Sequence, residues 1–161
     1  MRINSAAFLN QGSIPANYTC EGANLSPALS WTEIPKSAKS LALVMDDPDA
    51  PVGTWVHWLV YNIPVDAKSL PSAMPPLEEL PHGVRQGKNG FHKIGYGGPC
   101  PPPGHGVHRY FFRLYALNKL LDLPGGASRK EVDDAMRGHI VSRAELVGRF
   151  QRQAMWKKTV S

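Results

Sequence analysis

Fifteen glycines and fifteen prolines are spread through the 161 residues, and this punctuation limits what the chain can fold into. Proline removes a backbone donor and blocks helix interiors. Glycine costs conformational entropy in helices and strands alike. The segments between them are short, which predicts many strands and few helices. Leu41 to Met45 is a continuous apolar run, as expected of a strand covered on both faces. Trp55 to Ile63 reads as a second strand. Strict alternation would put His57, Leu59, Tyr61 and Ile63 on one face and Val56, Trp58, Val60 and Asn62 on the other. Val107 to Leu117 is a third strand, with His108, Tyr110, Phe112 and Leu114 sharing a face. Shorter candidates lie near Ile3 to Phe8 and Ala28 to Trp31.

One helix is well signalled. Ser128-Arg-Lys-Glu131 has the pattern of a capping box, opening a run with Val132, Ala135, Met136 and Ile140 at helical spacing. The tail is ambiguous. Ser142-Arg-Ala-Glu145 also fits a capping box, yet Leu146, Gly148 and Phe150 alternate as in a strand. Segment 64–95 is rich in proline, glycine and charge and reads as a long surface excursion of the kind that often carries function.

A length of 161 residues suits one domain, expected to span 1–161, and 42% hydrophobic with 19% charged residues reads as globular. No run approaches the length of a transmembrane helix. The first residues lack the apolar stretch of a signal peptide, so the expected location is the cytoplasm. A net charge of +5 favours anionic ligands. The basic residues are scattered, the densest groups being Arg149 to Arg152 with Lys157 and Lys158, and Arg129 with Lys130. None interleaves with aromatics as in a nucleic-acid groove, so nucleic acid is not an expected partner. Cys20 and Cys100 form no Cys-x-x-Cys pair, which argues against structural zinc. In the cytosol they would be free thiols, although both lie in loop-like stretches where a bridge stays open.

The candidate chemistry is dispersed. Asp47-Pro-Asp-Ala-Pro51 follows the first apolar strand, and its prolines stiffen the chain and set where Asp47 and Asp49 point. His57 sits inside the second strand, and His108 and Tyr110 leave one face of the third. Gly97 to Gly106 is too proline-rich for helix or strand, and its glycines could free backbone N–H groups to line a concavity suited to an oxygen-rich anion. It is neither a Walker loop nor a dinucleotide fingerprint, since Cys100 stands where the third glycine would be. No Gly-x-Ser-x-Gly elbow occurs. The prolines beside Cys100 argue against an activated thiol. Asp47, Asp49, His57 and His108 could chemically hold a metal, but no local His-x-His pair anchors one. No catalytic role, cofactor or metal is expected.

Ser26-Pro-Ala-Leu-Ser-Trp31, Asp47-Pro-Asp-Ala-Pro51, His57-Trp-Leu-Val60, Gly95-Tyr-Gly-Gly-Pro99 and Gly106-Val-His-Arg-Tyr-Phe111 occur in this order across most of the chain. Together they resemble the phosphatidylethanolamine-binding protein family, also called the Raf kinase inhibitor protein family, in its bacterial and archaeal branch. The resemblance implies a mainly β fold in which a large antiparallel sheet packs on a smaller one through Greek-key connections, with a few short helices. It implies a cis Ala50-Pro51 bond and makes Ala144 to Arg152 a strand.

It also implies a pocket for phosphate-like or carboxylate anions lined by Asp47, Asp49, His57, His108 and Tyr110, with Gly98 and Pro99 in the rim. The expected function is therefore a non-catalytic binding protein for a small anion such as phosphate, a phosphorylated headgroup or a nucleotide-like molecule. The alternatives are an interaction module that inhibits kinases or proteases, and a weak hydrolase using the Asp/His cluster. A homodimer is plausible by the same resemblance. The Pro-Pro-Gly-His insertion before His108, which brings Cys100 and His105, departs from eukaryotic members. The stretch between Pro64 and Gly95 differs too, so kinase regulation is not carried over.

Overall fold

Alternate residues of one central strand reach two separate hydrophobic clusters, and this fixes the layering. A computed structural model describes residues 1–153; Lys157 and Lys158 lie outside the described residues. Strand β3 (Ser40–Asp47) is buried along its whole length. Leu41, Leu43 and Met45 join one cluster, while Ala42 and Val44 join the other. A strand covered on both faces must be apolar at successive positions, which is why the run from Leu41 to Met45 is unbroken.

The large sheet has the order β6-β4-β3-β7-β8. Its remaining strands are β4 (Trp55–Ile63), β6 (Arg85–Gln86), β7 (His108–Leu117) and β8 (Ile140–Phe150). The small sheet has the order β1-β2-β5, from Arg2–Asn4, Leu29–Thr32 and Ser69–Leu70. The strand pairs in both sheets are antiparallel. After the β3–β4 hairpin the chain makes its long excursion and returns as β7 on the other side of β3. The expected mainly β architecture of two antiparallel sheets is therefore found.

Ile3, Leu29, Trp31 and Leu70 of the small sheet pack against Leu43, Trp58, Phe112 and Leu114 of the large one. Full burial of each large apolar side chain stabilises the fold by about 1.5–3 kcal/mol. The opposite face is covered by helix α1 (Arg129–Met136) and the segment leading into it, through Leu121, Ala127, Val132 and Met136. The Ser128 hydroxyl accepts from the Glu131 N–H at 3.2 Å, and the Glu131 carboxylate accepts from the Ser128 N–H at 3.0 Å, completing the expected capping box.

The helix is shorter than its apolar spacing suggests. It ends at Met136, and Gly138, at φ 82°, turns the chain into β8. Ile140 therefore starts a strand, pairing with Leu117. The pattern Ser142 to Glu145 also lies in β8, where ten residue pairs with β7 outweigh a local capping signal. Segment 64–95 is pinned from within. The Gln86 side chain accepts from the Trp58 indole at 2.8 Å and donates to the carbonyls of Pro75 and Leu77 at 2.7 and 3.0 Å. Among the described residues, no helix is long and apolar enough to cross a membrane.

Two expectations are corrected. No described peptide bond is cis, so Ala50-Pro51 is trans. Its turn is closed instead by Asp47, whose carboxylate accepts from the Asp49 N–H at 2.8 Å, and by the Gly53 N–H donating to the Ala50 carbonyl at 3.1 Å. The cysteines are not free thiols: Cys20 and Cys100 are bridged, with Cα atoms 5.3 Å apart. The Cys20 N–H donates to the Pro99 carbonyl at 3.0 Å, and that backbone contact brings the two loops to bridging distance.

Candidate functional site

A β-bulge assembles the site. Met45 pairs with Trp58 and Asp46 pairs with Val56, so one step on β3 faces two residues on β4, and His57 is the extra one. The extra residue breaks the strict alternation expected from the sequence. Trp58 stays in the core between the sheets, and His57 turns to the same side, where it meets Tyr110 edge to face with ring centroids 5.2 Å apart. Bulges commonly re-aim a side chain beside a functional site. Asp47 at the end of β3, His57 in β4, and His108 and Tyr110 in β7 thus converge at one end of three adjacent strands.

They line a cavity of about 230 Å³ whose wall also includes Trp55, Phe91 and the loop from Cys100 to Pro102. Its rim at Pro51, Val52 and Pro102 is exposed and apolar. The polar groups inside are few. Tyr110 is 0% exposed, and its hydroxyl makes no well-formed hydrogen bond, the nearby acceptor being the Asp47 carboxylate. Burial first, and the nearby Asp47 charge next, push its phenol far above the ordinary value, so it keeps its proton. It is a buried donor whose hydrogen bond is poorly satisfied, a costly arrangement in a native interior.

His57 meets the Gly97 carbonyl through Nδ1 at 2.5 Å. A carbonyl only accepts, so Nδ1 carries the hydrogen. Burial lowers the pKa of His57, opposed in part by that same hydrogen bond. The ring is therefore neutral near pH 7, and the other nitrogen is left with a lone pair. His108 donates from Nδ1 to the Asp47 carboxylate at 2.7 Å, with both side chains almost fully buried. The second nitrogen of His108 lies 2.7 Å from Nδ1 of His105.

The other three expected site residues are placed differently. Asp49 does not line this cavity. It receives the Arg109 guanidinium at 2.8 and 2.9 Å and the Arg109 backbone N–H at 2.9 Å. Arg109 holds the Asp49 pKa down at about 2, so this pair clamps the Asp47 turn onto the start of β7. Gly98 and Pro99 are also outside the cavity lining. The Gly98 N–H donates to the Asn24 side chain at 2.9 Å, and the Pro99 carbonyl accepts from Cys20. A Cβ at Gly98 would collide with Asn24 and the Tyr18 carbonyl. These residues secure the wall from behind, with the Gly98 N–H and the Pro99 carbonyl already used and the Gly98 backbone acting on His57.

Trp55, Phe91, Pro101 and Pro102 were not legible as site residues in the sequence. Trp55 pairs directly with Asp47, and its spacing of two from His57 was the available signal. Phe91 comes from the long excursion and packs edge to face on both Trp55 and His57, at 5.4 and 5.7 Å. Among the described residues, no group of three or more His, Cys, Asp or Glu side chains is placed to hold a metal ion.

Comparison with known proteins agrees with this architecture. The family model for phosphatidylethanolamine-binding protein matches residues 4–151. A UPF0098 protein of Methanothermobacter thermautotrophicus is 51% identical, over 94% of this chain and 99% of its own. One from Aquifex aeolicus is 48% identical, over 94% and 89%. Among solved structures, a phosphatidylethanolamine-binding protein homologue from Chlamydia trachomatis has a TM-score of 0.85 at 37% identity, covering 94% of this chain and 97% of that one. YbcL of E. coli, described as a new member of the mammalian family, has a TM-score of 0.88 at 31% identity, covering 94% and 98%. With the family model spanning nearly the whole described chain and both solved relatives sharing its fold, this chain belongs to the phosphatidylethanolamine-binding protein family.

Proposed function

We propose that this protein binds a small oxyanion, a phosphoryl or carboxylate group carried on an apolar substituent, and does not transform it. The observation that carries this reading is the Tyr110 hydroxyl, fully buried, protonated and without a well-formed hydrogen bond beside the cavity. An anionic oxygen would satisfy it, and a hydrogen bond to a charged group contributes about 1.5–3 kcal/mol. The apolar rim at Pro51, Val52 and Pro102 suits the substituent. The family's name points to a phosphorylated headgroup as one source of such a group. Phosphate esters of other origin share the chemistry.

The polar groups are arranged for orientation rather than attack. Asp47 is engaged by His108 and by the Asp49 N–H, and His57 is anchored to Gly97. Isothermal titration with inorganic phosphate, phosphorylethanolamine and phenyl phosphate tests the reading. Saturable binding with the aryl ester bound tighter than phosphate is expected. Steady release of phenol from phenyl phosphate, abolished in His57→Ala, would favour a hydrolase instead.

A further inference from the structure

The bridge between Cys20 and Cys100 sits at the surface rather than in the core. Both cysteines are exposed, and Cys100 also belongs to the cavity wall. The two ends of the bridge meet different charges. Arg152, just beyond β8, reaches Cys100 from 52 residues away in sequence, its Nη1 donating to Sγ at 3.6 Å. The Nε of Arg152 is buried and makes no hydrogen bond among the described residues, with the Glu21 carboxylate 4.0 Å away. Cys20 has that same acidic residue as its chain neighbour.

A disulfide opens when a thiolate attacks one sulfur and expels the other, and the sulfur whose thiol has the lower pKa leaves faster. A guanidinium beside a thiolate favours the charged form, and a nearby carboxylate opposes it. Cys100 is therefore the better leaving group, and Cys20 is the sulfur attacked. The prolines beside Cys100 exclude activation by a helix terminus; the cation comes from across the fold instead.

The two loops do not depend on the sulfurs alone. The Cys20 N–H donates to the Pro99 carbonyl at 3.0 Å, and the Gly98 N–H to the Asn24 side chain at 2.9 Å. The Tyr96 hydroxyl donates to the Tyr18 carbonyl at 2.7 Å. Beyond Cys100, the Gly104 N–H donates to the Arg152 carbonyl at 3.0 Å. Opening the bond thus keeps the sulfurs as neighbours, placed to close again.

We infer that this bridge is a thiol–disulfide exchange site that takes a low-molecular-weight thiol onto Cys20. The incoming thiolate forms a bond to Cys20 Sγ, the Cys20–Cys100 bond breaks, and its electron pair leaves on Cys100 as a thiolate beside Arg152. In reverse, the Cys100 thiolate attacks Cys20 Sγ and expels the small thiolate. A second thiolate attacking the outer sulfur of the adduct releases the small-molecule disulfide and leaves both cysteines reduced.

The test treats the full chain at pH 8 with 2-mercaptoethanol. Free thiols are then alkylated rapidly with N-ethylmaleimide, and peptides are mapped by non-reducing mass spectrometry. Mercaptoethanol should be found mainly on Cys20, with the maleimide on Cys100. Arg152→Gln should slow opening by about three- to tenfold and even out the two positions. Arg152→Lys, which keeps the charge, should retain the bias. A variant that merely unfolds more easily would open faster, not more slowly. In urea the wild-type bias should largely disappear, because Arg152 no longer adjoins Cys100. An adduct mainly on Cys100, a bias that persists undiminished in Arg152→Gln or in urea, or a bond that opens only on unfolding would overturn the assignment.

Discussion

The rings of His57 and Tyr110 meet edge to face, planes 81° apart, across the strand that separates their own. Strict alternation along β4 would turn His57 away, onto the face that carries Leu59 and Tyr61. The extra residue opposite the Met45–Asp46 step reverses this, so one irregularity in the ladder creates the polar end of the cavity. Phe91 then closes the same ring from the other side.

Burial of His57 has a consequence for stability. Its folded pKa is below the ordinary histidine value, while in the unfolded chain it takes a proton near pH 6.5. Below that pH the unfolded state binds more protons, so this contribution is complete above pH 6.5 and is lost as the pH falls toward the folded pKa. Urea unfolding between pH 7.5 and pH 5 should show wild type losing more stability than His57→Gln, whose amide can still donate to Gly97. Equal losses in the two proteins would refute the assignment.

On the opposite face, Asp46 is 2% exposed and bridges Arg113 and Arg129 at 3.1 and 3.0 Å. Arg129 opens α1 and also holds Asp133, four residues on. This ion cluster ties the helix to the central sheet. Asp46→Asn keeps the shape but removes the charge that both guanidiniums face, and should cost about 2 kcal/mol. Denaturation midpoints should fall accordingly, while phosphate affinity stays within about twofold, because the cluster and the cavity lie on opposite faces of β3.

The bridge between Cys20 and Cys100 spans 80 residues and fastens the cavity wall to the N-terminal loop. Replacing both with serine frees the unfolded chain and should lower stability by roughly 2–4 kcal/mol. Bridges of this kind persist in oxidising compartments and inside hyperthermophiles. Non-reducing mass spectrometry of the purified protein should show the bridged peptides, and free thiols throughout would contradict the assignment.

Much of this was legible in the sequence, for identifiable reasons. The apolar run of β3 announced a doubly covered strand because both faces are filled, and His108 and Tyr110 shared a face because β7 alternates without a bulge there. The motif order pointed to the fold. The side of His57 was not legible, since a bulge depends on how two strands pair rather than on one strand's residues. Gly98 and Pro99 were placed in the rim by the family resemblance alone. The Gly98 N–H and the Pro99 carbonyl are instead engaged by Asn24 and Cys20, contacts more than seventy residues away in sequence. Ile140 fitted the helical period, yet pairing with Leu117 offered more than one further helical turn.

The central claim is that the Tyr110 hydroxyl is a donor held ready for an anion. Tyr110→Phe removes one oxygen and leaves the ring packing in place. Because that hydroxyl makes no well-formed hydrogen bond, the variant should be as stable as wild type or slightly more so. Calorimetric titration with phenyl phosphate at pH 6 should show its affinity reduced about tenfold or more. Unchanged affinity in Tyr110→Phe, or no binding by wild type, would contradict the account.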